Sequence, residues 1–310
     1  MDRVVTVFGG GGFLGRYVAQ PLFRTGARVR IAQRDPRSAF FLKPLGTVGQ
    51  SQFVACDIRD AARVRAAIEG SDAVINLVGT LNGDFDGIHV TGARNIAEAA
   101  AAAGAETLVH VSAIGGDTRS ESTYYRTKAE GEQAVRDAFP AATILRPAVL
   151  FGREDNFVNR FAGLARLAPV LPVIRGATRM QPVYAADVGR AVAAAANVPG
   201  EHSGKTYELG GPQVMTMREL MELVCKATGH NRSLVEIPDA AAAAAARLTG
   251  WLPGAPLTWE QWLMLQKDIV AEGGAGLEAF GISGTPLAAV SEGWLTAYRR
   301  HGRFAAKSPY

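Results

Sequence analysis

The chain has 310 residues, 48% of them hydrophobic and 20% charged, which suits one large globular domain or a domain with a smaller lobe. Its net charge of +4 is small and its arginines are scattered, so no nucleic-acid partner is expected. There is no apolar stretch long enough to span a bilayer, and Cys56 and Cys225 lack metal-ligand spacing, which excludes an integral membrane segment and a cysteine metal centre and leaves buried, reduced thiols.

In chain order, strands are expected at residues 4–8, 28–33, 52–55, 73–78, 107–112 and 143–149, with helices at about 13–25, 60–69, 87–103 and 123–138. This alternation predicts an α/β fold, a Rossmann-like doubly wound parallel sheet over residues 1–150. Pro21 lies inside the first helix, where it removes a hydrogen bond to Tyr17 and predicts a kink. Past residue 150 the alternation loosens into a smaller, mainly helical C-terminal lobe, residues 151–310, interleaved with the first. There residues 191–196, 216–228 and 240–246 read as helix and 206–209 as a short strand. All four tryptophans (Trp251, Trp259, Trp262, Trp294) fall in this lobe, either as core or as an exposed face for a membrane or a protein partner. The basic cluster from Arg299 to Arg303 reads as a solvated tail.

Chemistry concentrates at the strand ends. The first strand runs into Gly9-Gly10-Gly11-Gly12-Phe13-Leu14-Gly15, a Gly9-x-x-Gly12-x-x-Gly15 spacing at the start of a helix. Glycines there permit a sharp turn and a close approach of backbone to a pyrophosphate, which the helix N-terminus attracts. After the second strand, Arg34 stands where a dinucleotide fold expects an acid for the ribose 2′-hydroxyl, with Arg37 nearby. That favours a 2′-phosphate, hence NADP(H) over NAD(H), with Asp35 keeping NAD(H) open. Asp57, followed by Ile58, is placed either to accept from an adenine amino group or to cap the helix near Asp60. Leu77, Val78 and Gly79 end the fourth strand, with Leu77 and Gly79 beneath the ribose and pyrophosphate. Ser112 ends the fifth strand, and Tyr124 and Lys128 share one face of the following helix. In that set the serine bonds a carbonyl, while the ammonium lowers the tyrosine pKa and bonds the nicotinamide ribose.

The glycine spacing, Asp57-Ile58, Gly92, Asn95, Ser112, Tyr124/Lys128, Arg146-Pro147-Ala148 and Val183 to Val188 resemble the extended short-chain dehydrogenase/reductase superfamily. That resemblance implies catalytic roles for Ser112, Tyr124 and Lys128 and nicotinamide contact around Pro147. One departure bears on substrate choice, since only eleven residues separate Ser112 from Tyr124, and His89 also stands where the superfamily usually has asparagine. Val135 to Pro140, Phe151-Gly152-Arg153-Glu154-Asp155, Gln181 to Tyr184 and Thr285-Pro286-Leu287 are similar to the atypical branch of nucleotide-binding accessory subunits of respiratory complex I. This second resemblance implies a tightly held NADP(H) with a structural role and protein partners in the complex. It also implies a cytoplasmic or matrix-side location, peripheral on the inner membrane, with the C-terminal segment as contact. The alternatives are an active NAD(P)H-dependent reductase, dehydrogenase or epimerase, and a redox-sensing regulator.

Overall fold

The structure is a computed structural model that describes residues 3–252, 255, 257–300 and 302. In chain order the elements are β1 (Val4–Phe8), α1 (Phe13–Arg24), β2 (Arg28–Gln33), β3 (Ser51–Ala55), α2 (Ala61–Ile68), β4 (Ala73–Asn76), α3 (Ala93–Ala102), β5 (Thr107–Val111), α4 (Thr123–Ala138) and β6 (Thr143–Pro147). Then come β7 (Leu150–Phe151), α5 (Val158–Leu167), β8 (Val170–Ile174), β9 (Arg179–Met180), β10 (Val183–Tyr184), α6 (Ala185–Asn197) and β11 (Thr206–Leu209). The last are β12 (Met215–Thr216), α7 (Met217–Thr228), β13 (Ser233–Ile237), α8 (Asp239–Thr249), α9 (Trp259–Met264) and α10 (Leu287–Leu295).

Two compact units share these elements: residues 1–147, 185–209 and 271–283 form the first, and 148–184, 210–270 and 284–310 the second.

The first unit is built on a seven-stranded sheet in the order β11-β6-β5-β4-β1-β2-β3. Every pairing is parallel. On one face Phe8, Val74, Leu108 and Ile144 pack with Val64, Ile68, Ile96 and Val135 from α2, α3 and α4. α1 and α6 pair with each other on the opposite face. There α1 runs unbroken through Pro21. Pro21 cannot donate to the Tyr17 carbonyl, and α6 lays Gly189 against that oxygen, where an added Cβ would sit 2.4 Å away.

Strand order reverses beside β1, with β2 and β3 on one side and β4 on the other. A ligand-binding crevice is expected at the carboxyl ends of the strands flanking such a switch point. β4 stops at Asn76, short of the expected residue 78, because the Asn76 Oδ1 accepts the Val78 N–H at 3.0 Å and turns the chain. Two further features were not legible: a 3₁₀ helix over Pro36–Leu45 and the π-helical character of Asp86–Gly92, the turn that opens α3 within the helix expected at 87–103.

In the second unit, β8 pairs with β13, and α8 and α9 enclose a small core of Ala242, Ala246, Leu257 and Trp262. The tryptophans divide. Trp262 is core, Trp259 stacks under the Arg247 guanidinium at 4.2 Å, and Trp251 is 77% exposed. Arg299 is not part of a solvated tail: its guanidinium donates twice to the Ala227 carbonyl at the end of α7. His301 and Arg303, which complete that cluster, lie outside the described residues.

Candidate functional site

The glycine run forms the expected tight turn from β1 into α1. Gly9 has φ +78°, a left-handed value that favours glycine, and its N–H donates to the Ala32 carbonyl at 3.0 Å. Gly12 stands at the N-cap of α1. An added Cβ on Gly15 would lie 2.1 Å from the Gly10 carbonyl oxygen, so only glycine lets the helix pack this closely on the turn.

Beside the turn lies a groove of about 630 Å³ at the carboxyl ends of β1 to β4. Gly9, Gly12, Arg34, Asp57, Ile58, Val78 and Gly79 all line it, as the sequence leads one to expect. Phe13, Leu14, Gly15, Arg37, Leu77, Lys128 and Pro147 are not among its lining residues. Of these, Leu77 donates its N–H to the Phe8 carbonyl, and Pro147 ends β6 with its carbonyl accepting from Ile114.

Sequence reasoning missed Gln33, the last residue of β2. Its Oε1 accepts the Gly11 N–H at 2.7 Å while its amide donates to the Asp35 carbonyl and to Ser38 Oγ. A neutral side chain thus ties the glycine turn to the loop that carries Arg34. The Asp35 carboxylate caps the following 3₁₀ helix by accepting the Arg37 N–H.

Asp57 does not cap α2. Asp60 does so, accepting from the Ala62 and Arg63 N–H groups. Asp57 instead accepts from the Arg59 N–H, Nε and Nη2, and these bonds hold its carboxyl down at about 2.

Farther along the strand ends, Ser112 is buried, its N–H donates to the Leu145 carbonyl, and its Oγ has no protein partner among the described residues. The Lys128 ammonium is also buried and donates to the Val111 carbonyl at 3.3 Å. An added Cβ on Gly79 would lie 3.2 Å from Lys128 Nζ, so the lysine stands directly behind the groove. Burial pushes Lys128 down to about 8 against the pull of Glu132. Burial also lifts the Tyr124 phenol to about 12, opposite to the direction expected from its spacing to the lysine.

His89, on the π-helical turn, is buried against this group and accepts the Thr80 N–H through Nε2 at 3.0 Å. A backbone donor at Nε2 requires the proton to sit on Nδ1, which then donates to Thr127 Oγ1 at 2.9 Å. The Thr127 hydroxyl in turn donates to the Thr123 carbonyl. The His89 ring also meets the Tyr124 ring edge-on at 5.5 Å. One imidazole therefore connects the loop after β4 to the helix that carries Tyr124 and Lys128. Its signal in the sequence was the replaced asparagine.

Other distinctive residues serve the framework. Asp155 is buried and accepts from the N–H groups of Gly152, Phe157, Val158 and Asn159, organising the turn into α5. Arg146 makes a forked pair with buried Glu132. Asp187, also buried, accepts from Arg190. Cys56 borders the groove, and burial raises its thiol to about 11, so no thiolate forms near neutrality. No group of three or more His, Cys, Asp or Glu placed to hold a metal occurs among the described residues.

Residues 5–210 match the family described as the NAD dependent epimerase/dehydratase family. The chain is 37% identical over 306 residues to a Rattus norvegicus protein, NADH dehydrogenase (ubiquinone) 1 alpha subcomplex subunit 9, mitochondrial, covering 96% of this chain and 80% of that one. It is 31% identical over 244 residues to the ceramide reductase of Caulobacter vibrioides, covering 76% and 74% of the two. Its fold is that of an NADPH-dependent quinone oxidoreductase from Escherichia coli complexed with NADPH, at a TM-score of 0.74, 22% identity and 93% and 98% coverage.

Proposed function

Because the chain belongs to the NAD dependent epimerase/dehydratase family, we propose that it holds a nicotinamide dinucleotide as an accessory subunit of a respiratory NADH dehydrogenase, with the cofactor in a structural role. The carrying observation is similarity along 96% of the chain to a relative named as such a subunit. The groove fits the dinucleotide: glycines whose Cβ atoms would collide form its pyrophosphate end, and Ile58, Val78 and Ile88 supply apolar walls for a base.

The 2′-phosphate form suits this groove best. Arg34 lines it, Gln33 puts a neutral group at the end of β2, and Asp35 is committed to a helix cap. Bound NADP(H) supplies a hydride donor or acceptor, while the chain itself contributes Lys128 behind Gly79 to bond the nicotinamide ribose. Exposed Leu248, Trp251 and Leu252 at the end of α8 support a peripheral membrane contact.

Native membranes solubilised in mild detergent test the assignment. The protein should co-purify with respiratory-complex subunits and carry stoichiometric NADPH; recovery only as a free protein refutes it. Titration should find NADPH tighter than NADH, and the reverse order removes the 2′-phosphate reading. The retained Ser112, Tyr124 and Lys128 favour a second reading, an active reductase. In that case Tyr124→Phe abolishes NADPH oxidation with carbonyl or quinone substrates, whereas the structural reading leaves cofactor content and complex assembly unchanged.

A further inference from the structure

Two loops bring carboxylates to the base-binding end of the groove, and one guanidinium joins them. Arg59, which lines the groove, donates Nε and Nη2 to the Asp57 carboxylate at 3.1 and 2.7 Å and Nη1 to Asp84 Oδ2 at 3.0 Å. Asp57 belongs to the loop after β3, and Asp84 to the loop between β4 and the π-helical turn. The other Asp84 oxygen accepts the Gly87 N–H at 2.9 Å. An added Cβ on Gly87 would fall 2.1 Å from Asp84 Oδ2, so the glycine lets the carboxylate lie flat on the turn. The next residue, Ile88, is a wall of the groove, as is Ile58 beside Asp57.

The chain of contacts is continuous from Asp57 through Arg59 and Asp84 to the turn carrying Ile88. Asp57 Oδ1 accepts two bonds from Arg59, but Oδ2 accepts one, leaving a lone pair for a ligand N–H. A forked guanidinium suits this task because its planar donors fix two carboxylates at once.

We infer that Arg59 is a positioning residue of the dinucleotide site: it holds the Asp57 carboxylate ready for the adenine amino group and fastens the two loops that wall the base. This rests on the dinucleotide reading above and adds a cause for slow cofactor exchange. With the Arg59–Asp84 link intact, the turn carrying Ile88 is tied to the loop carrying Ile58, and loosening that link frees one wall of the base site and speeds release. Both side chains are about half exposed, 44% and 49%, so the link is screened by salt.

The test uses the purified holoprotein, with NADPH release followed by fluorescence during a chase with excess NADP⁺, at low and high ionic strength. Asp84→Asn is the sparing change, since its amide oxygen still accepts the Gly87 N–H while losing the charge that holds Arg59. The variant should release NADPH three- to tenfold faster at low salt, and the acceleration of the wild type by salt should largely vanish. Arg59→Gln should release NADPH at least as fast as Asp84→Asn, because it also loses the bonds to Asp57, and the double variant should match Arg59→Gln because Asp84 then has no guanidinium left to hold. Equal release rates and equal salt dependence in wild type and Asp84→Asn overturn the inference. If wild-type release is complete within the mixing time, the tight-cofactor reading fails instead. Equilibrium titration then decides on Arg59: unchanged NADPH affinity in both single variants refutes its role, and a threefold or greater loss that shrinks with salt supports it.

Discussion

Acidification from pH 7 to pH 5 should destabilise the protein by about 2 kcal/mol through His89 alone. The ring is buried, and its Nε2 must stay unprotonated to accept the Thr80 N–H. Burial, with the Lys128 charge nearby, pushes its pKa down from 6.5 to about 3. Below 6.5 the unfolded chain therefore binds a proton that the folded chain refuses. The stability is whole above 6.5 and is lost as pH falls from there toward 3. Over the 1.5 pH units between 6.5 and 5, at 1.36 kcal/mol per unit, the loss is about 2 kcal/mol. His110, pushed to about 3, and His202 move in the same direction, so wild type loses more than this. The perturbation that isolates His89 is His89→Asn, a side chain that does not titrate. Urea unfolding at pH 7 and pH 5, followed by far-UV circular dichroism, should show the variant losing about 2 kcal/mol less than wild type. Identical pH dependence in the two proteins refutes a buried neutral imidazole at this position.

At alkaline pH a second buried base acts in the same sense. Lys128 is held at about 8 against an ordinary 10.5, so the folded chain gives up a proton that the unfolded chain keeps, and stability rises as pH climbs through 8. Between pH 7 and 9 the gain is about 1.4 kcal/mol, and Lys128→Met should abolish it in the same unfolding assay. Asp155→Ala leaves the Gly152 N–H and three backbone N–H groups at the start of α5 without their acceptor and should cost roughly 3 kcal/mol, read as a lower urea midpoint and faster hydrogen exchange in α5. Gly15→Ala drives a Cβ into the Gly10 carbonyl and should reduce NADPH binding at least tenfold in a fluorescence titration, provided the far-UV spectrum is retained.

Much of the first unit is written in local pattern. The strands from β1 to β6 begin within a residue of their expected starts, because a buried parallel strand needs a short apolar run and a turn residue to end it. The groove residues Gly9, Gly12, Arg34, Asp57, Ile58, Val78 and Gly79 were legible for the same reason: each follows a strand, and the strand ends of a doubly wound sheet converge. The 3₁₀ helix over Pro36–Leu45 was not legible, since its Pro44 reads as a loop signal. Nor was the π-helical turn, whose extra residue per turn has no periodic signature of its own.

Side-chain partners obeyed a different rule. Asp57 and Asp60 are both plausible caps in sequence, and the choice between them followed from Arg59, whose guanidinium claims Asp57 and extends to Asp84. The Tyr124–Lys128 spacing correctly predicts one helix face, yet the direction of each pKa is set by burial beneath segments far away in the chain. The tautomer of His89 likewise depends on Thr80 and Thr127, which the sequence separates by 47 positions.

The sequence by itself determined the parallel α/β sheet, the glycine turn and the set of strand ends that face a dinucleotide, because backbone conformation and hydrophobic period are properties of neighbouring residues. Only the tertiary structure decided which carboxylate caps a helix and which joins a guanidinium over the groove. It alone decided which imidazole stays neutral and which proline-bearing helix runs on unbroken. Those outcomes depend on desolvation and on hydrogen-bond partners that meet only after distant segments have packed.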